Sequence, residues 1–137
     1  MTVENDQELR EILLSAKTIA CVGVSSNEEK VSNGIFQYLR DHGYHMVPVN
    51  PTAPEILGEK SYADLSEVRE KVDVVQVFRR AEGLPPVVEA AIQIGANVVW
   101  MQEGIVNEAA AATGEAAGLK VVMDHYMRKE HQRLIGH

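Results

Sequence analysis

Five short runs of this chain, residues 18–24, 44–49, 72–78, 97–101 and 119–123, are apolar at almost every position instead of every second one. A strand with one wet face alternates, so runs of this kind belong to strands buried on both sides. Between them lie segments whose apolar residues recur at helical spacing. Residues 6–16 put Leu9, Ile12, Leu13 and Ala16 on one stripe, with Asp6 at the cap or in the first turn. Residues 34–40 read as a helix ending near Gly43, and Val88, Ala91, Ile92 and Ile94 mark another that Gly95 stops. Residues 106–117 are an alanine-rich helix stopped by Gly118, and residues 127–134 form a last short helix.

This alternation predicts an α/β fold: one doubly wound, mostly parallel sheet with helices on both faces, joined by right-handed crossovers. Residues 56–61 read as a short extra strand, and residues 64–68 as a small helix with Asp64 as its cap. Pro48 interrupts the second run; because proline donates no ladder hydrogen bond, it argues for an edge strand or one that ends early. At 137 residues the chain is expected to form a single domain, 1–137, with no linker or repeat to divide it.

Charge and composition narrow the partners. Thirteen basic against twenty acidic residues give a net charge of −7, which opposes binding to nucleic acid or an anionic membrane in the mean field. Aromatics are only 5% of the chain, too few for a stacking surface on single strands. No apolar run approaches membrane-spanning length. Cys21 is the only cysteine, so no internal disulfide can form, and a cytoplasmic location is expected. Self-association and a protein partner both remain open.

Ligands of open α/β sheets bind at the carboxyl ends of the strands, where strand order reverses. Five segments stand there: Gly23-Val24-Ser25-Ser26-Asn27, Val49-Asn50-Pro51-Thr52, Val77-Phe78-Arg79-Arg80, Met101-Gln102-Glu103-Gly104 and Asp124-His125-Tyr126. In the first, Gly23 permits a tight turn, the serines bring hydroxyls to a helix start, and Lys30, Ser32 and Asn33 add a cation and further donors. Unpaired amides and the positive end of a helix dipole attract phosphate there. The segment is neither G-x-G-x-x-G nor a G-K-[ST] loop, and a solvated βα connection has a similar composition.

After the second run, Asn50-Pro51 stands where an NAD site normally carries an acid for the ribose diol. A neutral residue does not repel a phosphorylated ribose, although Asn-Pro is also an ordinary turn. Arg79 and Arg80 can offer forked donors to phosphate, or simply be solvated. Gln102 and Gly104 suit a pocket rim or a plain turn.

Catalytic sets are missing from the pattern. His42, His45, His125, His131 and His137 include no H-E-x-x-H, Asp124 could polarise His125 without a nucleophile in view, and Cys21 reads as core.

Taken in order, Gly23-Val24-Ser25-Ser26-Asn27 with Lys30 and Gly34, Val49-Asn50-Pro51, Val77-Phe78-Arg79-Arg80 and residues 95–105 resemble the small bacterial CoA-binding proteins. These are relatives of the CoA-binding domain in the succinyl-CoA synthetase alpha subunit. The likeness runs on to Glu130-His131-Gln132-Arg133-Leu134. It implies a Rossmann-like fold that binds coenzyme A or an acyl-CoA. Gly23, Ser25, Ser26 and Lys30, with Val24 between them, would line the diphosphate loop. Asn50 and Pro51 would flank adenosine, Phe78 and Arg79 would border the crevice, and Gln102 and Gly104 would lie near the pantetheine path.

Relatives often carry a cysteine where this chain has His125-Tyr126, so thiol exchange with CoA is not implied here. The implied role is a non-catalytic carrier, sensor or regulator with no metal. An NAD(P)-dependent oxidoreductase and a protein-interaction module that has lost its ligand are the alternatives.

Overall fold

The computed structural model describes residues 2–136, so His137 lies outside the described residues. Strands β1 (Thr18–Val22), β2 (His45–Val49), β5 (Val74–Val77), β6 (Val98–Met101) and β7 (Lys120–Val122) form one sheet in the order β2-β1-β5-β6-β7. Every neighbouring pair in it is parallel. Helices α1 (Asp6–Ser15), α2 (Val31–Asp41) and α5 (Met127–Leu134) cover one face, and α3 (Leu84–Gln93) and α4 (Glu108–Ala116) the other. The expected α/β, Rossmann-like architecture is therefore what the chain adopts.

Residue alternation divides the core in two. Ala20, Val22, Val75, Val77, Val99 and Met101 pack under α3 and α4. Ile19, Cys21, Val74, Val98 and Trp100 face α1, α2 and α5 with Phe36, Leu39 and Met127. Both sets are buried, which is why the strand runs lack alternation in sequence. Gln76 is the polar exception at the middle of the sheet. Its amide oxygen accepts from the Cys21 thiol at 3.1 Å, and burial pushes that thiol well above its ordinary pKa. Cys21 is core, as its sequence setting suggests.

Pro48 sits on edge strand β2. Its carbonyl accepts from Tyr62 N–H at 3.0 Å, on the side away from β1, so the absent proline N–H is on that outer side and the β1 ladder is complete. At the opposite edge, Val3 N–H donates to the β7 carbonyl of Val121 at 2.8 Å.

Three local expectations are corrected. In place of one short strand over residues 56–61, residues 55–60 form a hairpin, β3 (Glu55–Ile56) and β4 (Glu59–Lys60), separate from the main sheet. Its turn puts Leu57 at φ 51° and Gly58 at φ 81°, and Arg40 donates to the Leu57 carbonyl at 2.6 Å. A leucine with positive φ is no turn signal, so the hairpin was hidden.

The small helix is a 3₁₀ turn, Leu65–Glu67, although Asp64 does cap it, through a capping box with Glu67. Helix α2 begins three residues before Gly34, at Val31, and α3 begins at Leu84 with Pro85 and Pro86 inside its first turn. Proline is favoured there because those N–H groups have no helical acceptor.

Candidate functional site

The chain reverses its order across the sheet between β1 and β5. From β1 it steps outward through α2 to β2, then returns past the hairpin and the 3₁₀ turn to β5 on the other side of β1. A crevice of about 520 Å³ opens at the carboxyl ends of these strands, lined by Gly23, Asn50, Pro51, Phe78, Arg79 and Gly83. Six of the residues singled out in the sequence, Arg80 among them, thus meet at the switch point, although they lie up to 57 positions apart.

Gly23 makes the meeting possible. It follows β1 at φ +86°, donates its N–H to Val49 at the end of β2, and would put a side-chain carbon 3.4 Å from both Arg79 Cγ and the Phe78 carbonyl carbon. Its bare backbone lets the β1 and β5 loops approach each other. Asn50 ties the third loop to them. Its Nδ2 donates to the Val24 carbonyl at 2.8 Å, while Oδ1 accepts from the N–H and hydroxyl of Thr52. Its side chain therefore braces two loops, and the crevice wall it offers is Pro51 and backbone.

The β1–α2 loop is ordered from within. Ser25 N–H donates to Ser32 Oγ at 3.0 Å, and Asn33 Nδ2 donates to the Ser25 carbonyl at 2.9 Å. Ser25 Oγ accepts from Asn27 N–H. Ser32 and Asn33, expected as donors to a ligand, are buried and hold the loop instead. Val24 is fully buried in the second core, so only its backbone faces the loop. Ser26 and Lys30 are exposed.

Helix starts differ in a telling way. Asn5 caps α1 and Asn107 caps α4 with side-chain oxygens, whereas the cap residues of α2, α3 and α5, Lys30, Gly83 and Tyr126, make no side-chain capping bond, and at α5 the first amide is taken by Gln102 instead. First-turn amides without an internal acceptor can receive an external anion. Arg79 and Arg80, both exposed, and Lys30 bring positive charge to this end of an acidic molecule.

Gln102 and Gly104 lie one strand further on and do not line the crevice. Gln102 is 1% exposed; its Oε1 accepts from Met127 N–H at 3.2 Å, and its Nε2 has no hydrogen-bond partner. A buried amide donor left open at the carboxyl end of the sheet is a group in want of an acceptor. Gly104, at φ +87°, donates its N–H to Asp124 Oδ1 at 2.6 Å. That carboxylate holds the β6 loop and does not serve His125, whose Nδ1 lies 3.7 Å from Glu130.

Of the crevice residues, Glu82 and Gly83 are not among those singled out in the sequence. The cue for Gly83 is its place just before Leu84-Pro85-Pro86, where a helix starts and a loop must pass close to Arg79.

A larger cavity, about 850 Å³, lies at the opposite end of the sheet between Leu14, Ile92, Ala96 and Leu119. The carboxyl ends of α1, α3 and α4 face it, and their partial negative charge disfavours an anionic ligand. Among the described residues no cluster of histidine, cysteine or carboxylates could hold a metal, and no helix is long and apolar enough to cross a membrane.

A family model described as "CoA binding domain" matches residues 17–132. Bacillus subtilis YneT, an uncharacterised protein, is 40% identical over 124 residues, covering 90% of this chain and 92% of its own. A solved hypothetical protein from Pyrococcus horikoshii superposes with a TM-score of 0.94 at 40% identity, covering 97% of this chain and 94% of that one. An ADP-forming acetate–CoA ligase of Archaeoglobus fulgidus is 35% identical over 79 residues, which are 58% of this chain but 12% of the ligase.

Proposed function

We propose that this chain, which belongs to the CoA-binding domain family, binds coenzyme A or an acyl-CoA at the β1/β5 crevice as a carrier, sensor or regulator. The observation that carries the reading is the convergence of Gly23, Pro51, Phe78 and Arg79 on one crevice beside the uncapped start of α2. Gly23, Ser25, Ser26 and Lys30, with the Val24 backbone, would hold the diphosphate. Asn50 and Pro51 would support the adenosine end, Phe78 and Arg79 would border the crevice, with Arg79 beside the diphosphate, and Gln102 and Gly104 would meet the amides of the pantetheine arm. The residues fit such a ligand. The bare Gly23 backbone leaves no side chain between the β1 and β5 loops, and the open Gln102 Nε2 is suited to an amide carbonyl of the arm.

Neutral Asn50, where a dinucleotide site favours an acid, supports CoA over NAD. Binding without turnover is supported by the one thiol facing the core and by Asp124 being engaged with Gly104. The ligase likeness covers 12% of that enzyme, so its chemistry is not carried over. A buried lone cysteine suits a cytoplasmic setting, and the chain would act as one binding unit, alone or with a partner.

Calorimetric titration with CoA, dephospho-CoA and NAD tests the reading. CoA should bind most tightly. Failure to bind CoA below about millimolar, where the free energy is only about −4 kcal/mol, refutes it, as does a preference for NAD.

A further inference from the structure

Beyond the crevice, the first turns of α2 and α5 run side by side and enclose a second, apolar groove of about 370 Å³. Val31, Gly34, Ile35 and Tyr126 wall it, with Arg128 and Gln132 at the rim. Val31 is 58% exposed, the most open large apolar side chain among the described residues, while Ile35 beneath it is 3% exposed and continuous with the core. The neighbouring charges are engaged elsewhere. Lys129 is drawn aside by Glu103 at 2.8 Å, and the Arg128 guanidinium lies over the Tyr38 ring, 5.1 Å from its centroid.

The groove's position gives it meaning. One wall follows directly on the loop assigned to the diphosphate. The other belongs to α5, whose first amide, at Met127, donates to Gln102 and whose Lys129 reaches Glu103, both on the loop assigned to the arm. Phe78 and Tyr126 pack against the same core on this side of the sheet. An arm that passes Phe78 and Gln102 would run toward Tyr126 and the groove.

We propose that this groove receives the hydrocarbon chain of an aliphatic acyl-CoA, so that the physiological ligand is a fatty acyl thioester and not free CoA. The inference rests on the CoA reading and names its substrate class. At roughly 30 Å³ per carbon-sized group, close to the liquid share of one water, a chain of about six carbons fits with room to spare.

Titration of the intact protein with CoA, hexanoyl-CoA and succinyl-CoA tests it. Hexanoyl-CoA should bind about tenfold or more tighter than CoA, as expected when several methylenes leave water only in part. Gln132→Trp, an exposed position on the α5 wall, should abolish that advantage while CoA itself binds as before. Val31→Trp, from the facing wall, should abolish it too. CoA binding with no gain for hexanoyl-CoA overturns the groove and leaves the crevice standing. Tighter binding of succinyl-CoA than of hexanoyl-CoA also overturns it, because a carboxylate end would then be preferred. Failure of the wild type to bind any of the three refutes the crevice reading, and this inference with it.

Discussion

Arg79→Gln isolates the charge of the crevice from its shape. The stem of Arg79 packs over Gly23, with Cγ 3.4 Å from where a Gly23 side chain would begin, and its Cβ and Cδ approach Gly83 at 3.8 and 3.9 Å on the same measure. Glutamine keeps most of that stem and removes the guanidinium. The side chain is exposed, and no carboxylate lies within 4.0 Å of it among the described residues. The folded state therefore loses little, and surface changes of this kind shift stability by no more than about 0.5 kcal/mol. A charge-assisted hydrogen bond to phosphate contributes about 1.5–3 kcal/mol. Solvent at an open crevice favours the lower end, so CoA affinity should fall about tenfold.

Arg79 adjoins Gly23 at the switch point, so on the proposed reading its target is the diphosphate. CoA and dephospho-CoA should then weaken by the same factor, and the dependence of affinity on salt should become shallower. Titration of both ligands at two salt concentrations, with a urea melt of the free protein, reads all of this. Equal affinity of variant and wild type would remove Arg79 from the site. A loss confined to CoA would move the contact to the 3′-phosphate and refute the placement.

Other perturbations test other links. Gly23→Ala forces an L-residue to φ +86° and crowds the Phe78 carbonyl carbon, so urea denaturation should show a loss of about 1–2 kcal/mol together with weaker CoA binding. Trp100→Phe removes the Nε1–H bond to the His125 carbonyl at 2.7 Å; about 1–3 kcal/mol should be lost, and an unchanged melt would show that water satisfies the carbonyl. Asp64→Ala deletes the cap of the 3₁₀ turn and should cost about 0.5–1 kcal/mol at neutral pH. Hydrogen bonds from the Ser66 amide and hydroxyl, and then the nearby Arg79 charge, hold the Asp64 carboxyl below its ordinary pKa, whereas desolvation opposes them. The contribution is therefore present above the unfolded value of about 3.9 and lost as pH falls through the lower folded value. The gap between wild type and variant in pH-resolved melts should close on acidification, and a constant gap would contradict the assignment.

The sheet was legible because burial on both faces leaves an unbroken apolar signature, and Ile19 to Val22 shows it most clearly. Pro48 announced an edge for a reason that the ladder bears out. The hairpin at Leu57-Gly58 was not legible, since its turn depends on a leucine held by Arg40 from another helix. Strand-end position was enough to bring Gly23, Asn50, Pro51, Phe78 and Arg79 into one crevice. It could not say which polar groups face inward. Ser32 and Asn33 look like ligand donors in sequence, and only the packing of α2 against its own loop turns them into loop supports. Gln102 is the converse case: a residue noted as a rim proves to be a buried amide with one end unmatched.

The two ends of the sheet carry a consequence for how copies of this protein meet. On β2, Tyr62 takes the Pro48 carbonyl and the Asn50 N–H, and Pro48 has no N–H to donate; on β7, the Val121 carbonyl is taken by Val3. An incoming strand from a second molecule meets an interrupted ladder at either end, which disfavours edge-to-edge polymerisation at both borders. Self-association through helix surfaces meets no such obstacle. The carboxyl-end crevice would stay accessible in such a dimer unless α2 and α5 themselves form the contact.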